Sequence, residues 1–297
     1  MKKIKVHCLG PEGTYGHEVT KKIFGDSIGK IEMHKSNQDV LRALEKDPNK
    51  NSYGVVPVEN STSGAGLVSD VVPNFWLPRI KDRPEIKVVG EYRHEIKHVL
   101  ASPACLNNEG VPKIKRIFSH SQALMQCAGN IKEFEEKLGY SLDLIPTTST
   151  AGSIEKITEL TDAAICSEFA ALNSDCLVGD LKLLYNPFND SDFNQTTFHL
   201  LSKTGIFEEA THCAVLFDLD DRPHALVDAL QCISGYNANM HMIHSIPIGP
   251  SRYAFYIEFD ESEYSEKGRK IFRAFDYAVD NLLCLGSFKI IKERKTS

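Results

Sequence analysis

The 297-residue chain lacks the features of several large classes of protein. No apolar run approaches the roughly 18 residues that a membrane helix requires, and the first residues lack the roughly 7–15-residue apolar core of a signal peptide. The formal net charge is −6 and no long basic block occurs, which argues against nucleic-acid partners and anionic membranes. We therefore expect a soluble cytoplasmic protein, and its length allows two domains.

Paired cysteines and nucleotide motifs are lacking too. The eight cysteines form no Cys-x-x-Cys pair, and several lie in apolar runs such as Ala163-Ala164-Ile165-Cys166. This pattern favours reduced, buried thiols over disulfides. Neither a Walker motif nor a Gly-x-Gly-x-x-Gly occurs, so the sequence does not indicate a nucleotide site.

What the sequence does contain is a regular alternation of short apolar runs with helical patterns over its first two thirds. The predicted strands there are residues 6–9, 54–58, 98–101, 116–118 and 163–166. Most of these runs are followed by a turn residue and then by helical periodicity. Such alternation predicts a largely parallel sheet with crossover helices.

The C-terminal part has a different order of elements. Its pattern predicts strands and helices in the order β-α-β-β-α-β, at residues 212–219, 223–234, 240–248, 252–259, 265–282 and 287–291. This order is the ferredoxin-like plan. Residues 203–209 are the predicted linker between the two parts.

Three loops in the first part share one design, in which a predicted strand leads through a turn rich in glycine, serine or threonine into a helix. They span residues 10–16, 59–64 and 148–152. Such a turn presents backbone N–H groups and hydroxyls at the positive end of a helix, where a carboxylate or phosphate binds. Taken alone, one such loop is more often a helix cap than a binding site. Three together predict a cleft for a small polyanion.

The loop sequences resemble those of prephenate dehydratases. Gly10-Pro11-Glu12-Gly13-Thr14-Tyr15 is similar to their Gly-Pro-x-Gly-Thr-Phe, and residues 57–64 resemble their Pro-Ile-Glu-Asn-Ser-x-x-Gly. Residues 119–127 resemble Ser-His-Pro-Gln-Ala-Leu-x-Gln-Cys, with serine in place of the proline. The tail resembles the family's ACT regulatory domain and ends in residues 285–288, which are similar to Leu-Gly-Ser-Tyr. The resemblance covers nearly the whole chain.

The resemblance implies a fold and a set of partners. It implies an α/β catalytic region of two lobes, like a type II periplasmic binding protein, followed by a ferredoxin-like α+β ACT domain. The expected bounds are 1–204 for the catalytic region, with the second lobe at about 92–186, and 210–293 for the ACT-like domain. The implied substrate is prephenate, with no metal, no organic cofactor, no nucleic acid and no membrane. An ACT domain also suggests a homo-oligomer, either a dimer or a tetramer.

The resemblance also implies site residues. The implied catalytic residues are Thr196, Glu59 and His120. The implied substrate-binding residues are Gly13, Thr14, Asn60, Ser61, Ser119, Gln122, Thr150, Ala151, Thr197 and Phe198. The histidines agree with the absence of a metal, because His241 and His244 are three apart on a predicted strand and would face opposite sides. Similarly, His17-Glu18 lacks the second histidine of a zincin pattern. Glu59, His120 and His17 are candidate proton handlers, and the sequence does not rank them.

Four departures from the family pattern concern functional positions. Thr197 replaces the arginine of Asn-x-Thr-Arg-Phe, which the family comparison implies holds a substrate carboxylate. Gly16 stands where the family has a hydroxyl residue. In the ACT-like part, His224 replaces the glycine of Gly-Ala-Leu, and residues 244–247 replace Glu-Ser-Arg-Pro. The last two changes predict that the phenylalanine feedback site is lost.

Together these departures favour a non-aromatising prephenate decarboxylase. Such an enzyme removes CO2 and retains the hydroxyl, which gives a dihydro-4-hydroxyphenylpyruvate for secondary metabolism such as antibiotic biosynthesis. Two alternatives stay open. One is a prephenate dehydratase that makes phenylpyruvate for aromatic amino acid biosynthesis. The other is an inactive ACT-type ligand sensor.

Overall fold

The computed structural model describes residues 3–62, 70–82, 84–103, 113–204 and 209–292. The strands are β1 (Ile4–Leu9), β2 (Ile28–His34), β3 (Ser52–Asn60), β4 (Lys87–Glu95), β5 (His98–Ser102), β6 (Arg116–His120), β7 (Asp143–Thr147), β8 (Asp162–Ser167), β9 (Lys182–Tyr185), β10 (Gln195–Ser202), β11 (His212–Leu219), β12 (Met240–Gly249), β13 (Arg252–Phe259), β14 (Asp280–Phe288) and β15 (Ile290–Ile291). The α-helices are α1 (Tyr15–Phe24), α2 (Asn37–Lys46), α3 (Ser121–Gln126), α4 (Ala128–Leu138), α5 (Glu168–Asn173), α6 (Ala225–Ser234) and α7 (Glu266–Ala278).

Two α/β lobes form the first part of the chain. The first lobe has a sheet in the order β15-β4-β10-β3-β1-β2, and the second has a sheet in the order β7-β6-β8-β5-β9. The chain crosses into the second lobe between β4 and β5 and returns between β9 and β10. Strand β4 stays paired with β10 as far as Glu95, and the second sheet begins at His98. The predicted two-lobed α/β architecture is confirmed.

The C-terminal domain, defined here as β11 to β14 with α6 and α7, has an antiparallel sheet in the order β12-β13-β11-β14. The predicted β-α-β-β-α-β order is confirmed. The predicted helix at 265–282 was too long, because α7 ends at Ala278 and β14 already begins at Asp280. From there the chain alternates its side chains across the sheet and pairs with β11. Strands β12 and β14 are the two outer strands of this sheet. The predicted homo-oligomer stays a prediction.

The C-terminal domain packs directly on the first lobe. One hydrophobic core contains Val58 and Val88 of the first lobe together with Leu216 and Phe288 of the C-terminal domain. The approach is close at Gly286, where φ is 143° and an added Cβ would lie 2.3 Å from the Val88 carbonyl oxygen. The chain then continues into β15, which pairs with β4 of the first lobe. The two parts are therefore joined by apolar packing and by a shared sheet.

Two further sequence-based expectations concern cysteines and membrane helices. The described cysteines are all free, as predicted, whereas Cys105 lies outside the described residues. In the described ranges, no helix has both the length and the apolar character needed to cross a membrane.

Candidate active site

A cleft of about 390 Å³ lies between the two lobes. Its walls come mainly from strand ends and from the turns that follow them, which is where ligands bind in open α/β sheets. The first lobe contributes the end of β1, the first turn of α1, and parts of β3 and β10. The second lobe contributes the β6–α3 turn and the turn after β7. The lining residues are Leu9, Thr14, Tyr15, Gly16, Asn37, Pro57, Asn60, Ile96, His98, His120, Gln122, Ala123, Gln126, Thr148, Ser149, Thr150, Thr196 and Phe198.

Asn60 fixes the hydrogen-bond arrangement on the first-lobe wall. Its Oδ1 accepts the backbone N–H of Thr62 at 3.1 Å, and a backbone N–H can only donate. The amide must therefore turn its Nδ2 to the other side. There Nδ2 donates to Thr196 Oγ1 at 2.9 Å and to Asn194 Oδ1 at 3.0 Å.

Hydrogen bonds with the same donor-to-acceptor direction continue across the cleft to the second lobe. Thr62 Oγ1 donates its hydrogen to Asn60 Oδ1 at 2.6 Å. The lone pairs of Thr62 Oγ1 remain, and Gln126 Nε2 donates to this Thr62 oxygen. Gln126 Oε1 then faces His98 Nε2 at 2.8 Å, which places the imidazole proton on Nε2. With its proton on Nε2, His98 accepts at Nδ1 from the Tyr15 hydroxyl at 2.9 Å, a hydrogen that the Lys97 carbonyl oxygen shares at 3.0 Å. A one-directional chain of hydrogen bonds thus joins both lobes.

The protonation states agree with this direction. Burial lowers the pKa of His98, although its contact with Gln126 opposes the shift, and the ring is neutral with a single N–H. Burial also raises the pKa of Tyr15 well above its usual range, so its hydroxyl keeps its proton and donates. The chain runs from Tyr15 through His98, Gln126, Thr62 and Asn60, and ends at Thr196.

Thr196 is therefore the donor end of the chain. Its hydroxyl accepts from Asn60, and no described residue accepts the hydroxyl hydrogen in return. Its side chain lines the cleft and is 8% exposed. A bound ligand oxygen beside Thr196 would receive a hydrogen bond from an oriented donor that is already polarised by its neighbours.

Two asparagine side chains bring further unpaired polar atoms to this region. Asn194 Nδ2 and Asn37 Oδ1 are buried and have no hydrogen-bond partner among the described residues. Asn194 accepts from Asn60 beside Thr196, and Asn37 lines the cleft. Since unpaired buried polar atoms are costly, both are suited to contact a ligand.

On the second-lobe wall, His120 ends β6 and caps α3. Its Nδ1 accepts the backbone N–H of Gln122 at 3.3 Å, so the neutral ring carries its proton on Nε2. Gln122 and Thr150 line the same wall. Among the described residues, no lysine or arginine lines the cleft. The hydrogen-bond donors that the described residues bring to the cleft are therefore neutral.

Comparisons with known proteins identify the family of the chain. Residues 6–205 match the family described as prephenate dehydratase. The chain belongs to the prephenate dehydratase family. A prephenate dehydratase of Methanocaldococcus jannaschii is 30% identical over 302 residues, which cover 98% of this chain and 99% of that protein. Arogenate dehydratase 2 of Petunia hybrida is 27% identical over 309 residues, which cover 96% of this chain and 72% of that protein.

A solved structure shows the same fold. The prephenate dehydratase of Arthrobacter aurescens in complex with L-Phe superimposes with a TM-score of 0.78 and 23% identity, covering 96% of this chain and 90% of that one. As a member of the prephenate dehydratase family, the protein is a lyase of the class that acts on prephenate.

Most of the predicted site residues of this prephenate dehydratase family member line the cleft. The cleft lining contains Thr14, Asn60, His120, Gln122, Thr150, Thr196 and Phe198. The loop that follows Asn60 is described only as far as Thr62, so Ser63 and Gly64 lie outside the described residues.

Glu59 and Thr197 face the other side of the first-lobe sheet. They are register partners on β3 and β10, and successive side chains of a strand point to opposite faces. Asn60 and Thr196 face the cleft, so Glu59 and Thr197 face the C-terminal domain. Burial raises the pKa of Glu59, and the carboxylate of Glu258 in the C-terminal domain raises it further. The expectation that Glu59 and Thr197 contact substrate disagrees with this geometry.

Five other predicted residues support the walls rather than line them. Ser119 is fully buried and donates to the Ile165 carbonyl at 2.6 Å. Gly13 has φ of 85° and packs near Ala151, which is also buried. Ser61 Oγ accepts the backbone N–H of Gln195 at 2.9 Å. His17 Nδ1 accepts the Gly13 N–H at 3.1 Å, which makes it a loop anchor.

Sequence reasoning did not select Tyr15, Asn37, His98 or Gln126. Tyr15 and Gln126 lie within the family-like motifs, so a signal was present. His98 begins β5 and Asn37 begins α2, outside every motif. Their roles arise from contacts between residues far apart in the chain, such as the 83-residue separation of Tyr15 and His98.

Proposed function

We propose that the protein is a prephenate dehydratase that converts prephenate to phenylpyruvate, CO2 and water, with Thr196 as the donor to the departing hydroxyl. The observation that carries the proposal is the direction of the hydrogen-bond chain, which leaves the Thr196 hydroxyl hydrogen for a ligand in the cleft. On sequence grounds alone, this function is one of the two alternatives to the decarboxylase.

The dehydratase reaction needs a hydrogen-bond donor next to the 4-hydroxyl that leaves the ring. When the bond between the ring and its carboxylate breaks, CO2 leaves and the electron pair enters the cyclohexadiene ring. The electrons then expel the 4-hydroxyl, which leaves with one proton as water, and the ring becomes aromatic. Because hydroxide is a poor leaving group, hydrogen bonding to that oxygen in the transition state accelerates the step. Thr196 is positioned to supply that hydrogen bond.

Neutral donors would hold the two carboxylates of prephenate. The Nε2–H of His120 and the hydroxyl of Thr150 are the candidates on the cleft walls, and Asn194 Nδ2 lies behind the wall next to Asn60 and Thr196. In a site partly shielded from water, several oriented neutral donors can stabilise an anion without a formal positive charge. Neither Glu59 nor His17 lines the cleft, so His120 is the one of the three candidate proton handlers that this proposal retains.

The decarboxylase interpretation is the second candidate, and one observation still favours it. Gly16 lines the cleft, so the hydroxyl that relatives carry there is missing from the wall. Its other main support was the replacement of arginine by Thr197. Since the side chain at 197 faces the C-terminal domain, that replacement does not remove a group from the cleft. Retention of the donor at Thr196 therefore outweighs the loss at Gly16.

Analysis of the product tests the proposal. The purified, metal-free protein is incubated with prephenate at pH 8, where acid-catalysed aromatisation is slow, and the products are separated and weighed by mass spectrometry. We expect phenylpyruvate, which has lost both CO2 and water. A product that has lost CO2 alone would replace the dehydratase proposal by the decarboxylase. Arogenate, the amine counterpart named in the Petunia relative, is assayed in parallel to define the substrate.

A further inference from the structure

Strands β1 and β2 carry a polar strip outside the cleft. On β2, Ile31 and Met33 pack against a hydrophobic core. Because side chains alternate along a strand, Glu32 and His34 project from the opposite face. His7 is the register partner of Glu32 on β1 and projects from the same face. Two imidazoles and a carboxylate therefore meet on adjacent strands.

Three donor atoms converge on this face. His7 Nδ1 lies 3.0 Å from His34 Nε2 and 3.5 Å from Glu32 Oε2. One donor atom of each residue lies within 4.8 Å of the other two. Around a tetrahedral zinc ion with bonds of about 2.0–2.1 Å, neighbouring ligand atoms are about 3.3–3.4 Å apart. The donors thus already have nearly the spacing of ligands that share one ion.

Asp47 orients the central imidazole. Its Oδ2 lies 2.9 Å from His7 Nε2 and takes that N–H, so the lone pair of Nδ1 points toward His34 and Glu32. The Asp47 carboxylate is itself held in place, because Lys5 Nζ lies 2.9 Å from its Oδ2 and the backbone N–H of Asn49 donates to its Oδ1 at 2.8 Å. A carboxylate on the remote nitrogen of a histidine is the usual second partner of a metal-bound imidazole.

The other histidine, His34, borders solvent. Because His7 Nδ1 accepts, His34 Nε2 is the donor in their 3.0 Å contact, and it becomes a ligand atom once its proton moves to His34 Nδ1. His34 also lines an open groove of about 420 Å³ next to α2. Of the three donor residues, His34 is therefore the one that an ion reaches first from this groove.

We propose that His7, Glu32 and His34 form a binding site for a divalent metal ion of the zinc class, with Asp47 as the positioning partner of His7. Two imidazoles and one carboxylate with an open fourth position are a donor set that suits zinc. The site lies on a different face from the prephenate cleft and does not depend on the proposed catalytic function.

Two lysines compete with the ion. Lys5 Nζ lies 3.0 Å from Glu32 Oε2, and Lys30 Nζ lies 2.6 Å from Glu32 Oε1. Both are flexible ammonium groups, and Lys30 is 66% exposed. Binding of an ion displaces them from Glu32, which lowers the affinity of the site and makes it sensitive to their removal.

Metal titration of the whole, untagged chain tests the site. After treatment with chelator and dialysis, Zn²⁺ is titrated calorimetrically and Co²⁺ by its visible absorption. We expect one ion per chain and tetrahedral-type Co²⁺ bands. The variants His34→Gln and Glu32→Gln should each weaken Zn²⁺ binding by at least about 10- to 100-fold, because loss of a residue that only supports a ligand already costs that much. Circular dichroism confirms that each variant is folded.

Two further variants separate this site from non-specific binding. Lys30→Gln should tighten Zn²⁺ binding by about two- to fivefold, because an exposed competing ion pair is removed. His241→Ala alters another histidine pair, whose ring centroids are 5.1 Å apart, and should leave the affinity unchanged. The proposal is overturned if the chain binds no Zn²⁺, or if folded His34→Gln and Glu32→Gln bind it as tightly as the wild type.

Discussion

Thr196 and Thr197 are adjacent in the chain but face opposite sides of β10. Thr196 accepts a hydrogen bond from Asn60 in the cleft, whereas Thr197 pairs in register with Glu59 on the face toward the C-terminal domain. Both are buried, at 8% and 7% exposure, so burial does not distinguish them. The two threonines are distinguished by the face of the sheet toward which each side chain points.

A pair of isosteric variants tests this distinction. We expect Thr196→Val to lower kcat for prephenate by about 10²- to 10³-fold, the usual effect of removing one oriented transition-state donor. Thr197→Val has the same change in shape on the opposite face and should keep kcat within about twofold. Steady-state kinetics on both proteins makes the comparison. Equal losses in the two variants would contradict the assignment of Thr196 as the donor.

At the scale of elements, the two lobes meet through a side chain at the end of α3 that contacts the turn after β3. Gln126, at the end of α3, donates to Thr62 of the first lobe and receives from His98 of the second. The link therefore holds the cleft walls at one separation and orients Thr62, which orients Asn60 in turn. Through these two residues, Gln126 influences the position of Thr196.

Breaking this link should slow the reaction without abolishing it. For Gln126→Leu we expect kcat to fall by about 2- to 10-fold, which corresponds to one net hydrogen bond. Gln126→Glu keeps the acceptor for His98 but loses the donor to Thr62, so a similar loss would locate the effect in the Thr62 contact. If kcat in both variants equals that of the wild type, the hydrogen-bond chain does not position Thr196.

The residue that precedes helix α6 has a strained backbone. His224 precedes it with φ of 66°, a left-handed conformation that favours glycine, and its side chain makes no capping hydrogen bond. We expect His224→Gly to raise the free energy of unfolding by about 0.5–1 kcal/mol, measured by urea denaturation. Asn237→Gly is the matched control at φ of 54°, and its gain in stability should be smaller because asparagine tolerates this left-handed region.

The predicted loss of phenylalanine regulation stays a prediction.

Periodicity and turn residues were sufficient to predict the class of each region. Strand β10 was not predicted, although it carries Thr196, because the polar start of Gln195–Ser202 obscures its alternation. The motif placed Glu59 and Asn60 near substrate, but a motif does not say which face a residue takes. The register between β3 and β10 shifts next to Glu59, and a shift of one residue reverses the face of a side chain.

At the scale of the whole molecule, the sequence predicts two folded parts but not how they dock. The contact depends on Gly286 lying against the Val88 carbonyl and on β15 pairing with β4. Both are long-range contacts between residues about 200 positions apart, and neither has a local sequence pattern. The docked arrangement buries charged groups that would be solvated if the C-terminal domain stood alone.

One of these groups is an ion pair across the junction. His199 of β10 and Glu258 of β13 are each 3% exposed, and His199 Nε2 lies 3.0 Å from Glu258 Oε1. Burial alone would lower the pKa of His199, but the Glu258 carboxylate outweighs it, aided by Glu91 and Glu59, and the pKa is raised. Burial likewise opposes the charge on Glu258, yet His199 and the Tyr256 hydroxyl hold its pKa below the ordinary value.

These opposite shifts define the pH range in which docking is favoured. A raised histidine pKa contributes stability that is complete below the ordinary value of 6.5 and is lost as the pH rises through the folded value. A lowered glutamate pKa contributes stability that is present above 4.5 and is lost as the pH falls through its folded value. The pair should therefore stabilise the junction most between these values and less on the alkaline side.

Comparison with a neutral pair isolates this contribution. In the double variant His199→Gln and Glu258→Gln, neither side chain titrates, so we expect its stability to fall less between pH 6 and pH 9 than that of the wild type. The single tryptophan, Trp76, is 2% exposed in the core that joins the first lobe to the C-terminal domain, and its fluorescence during urea denaturation reports on this junction. Titrating groups away from the junction are common to both proteins, so their effects cancel in the difference. Parallel pH profiles for the two proteins would show that His199 does not carry a proton at the junction.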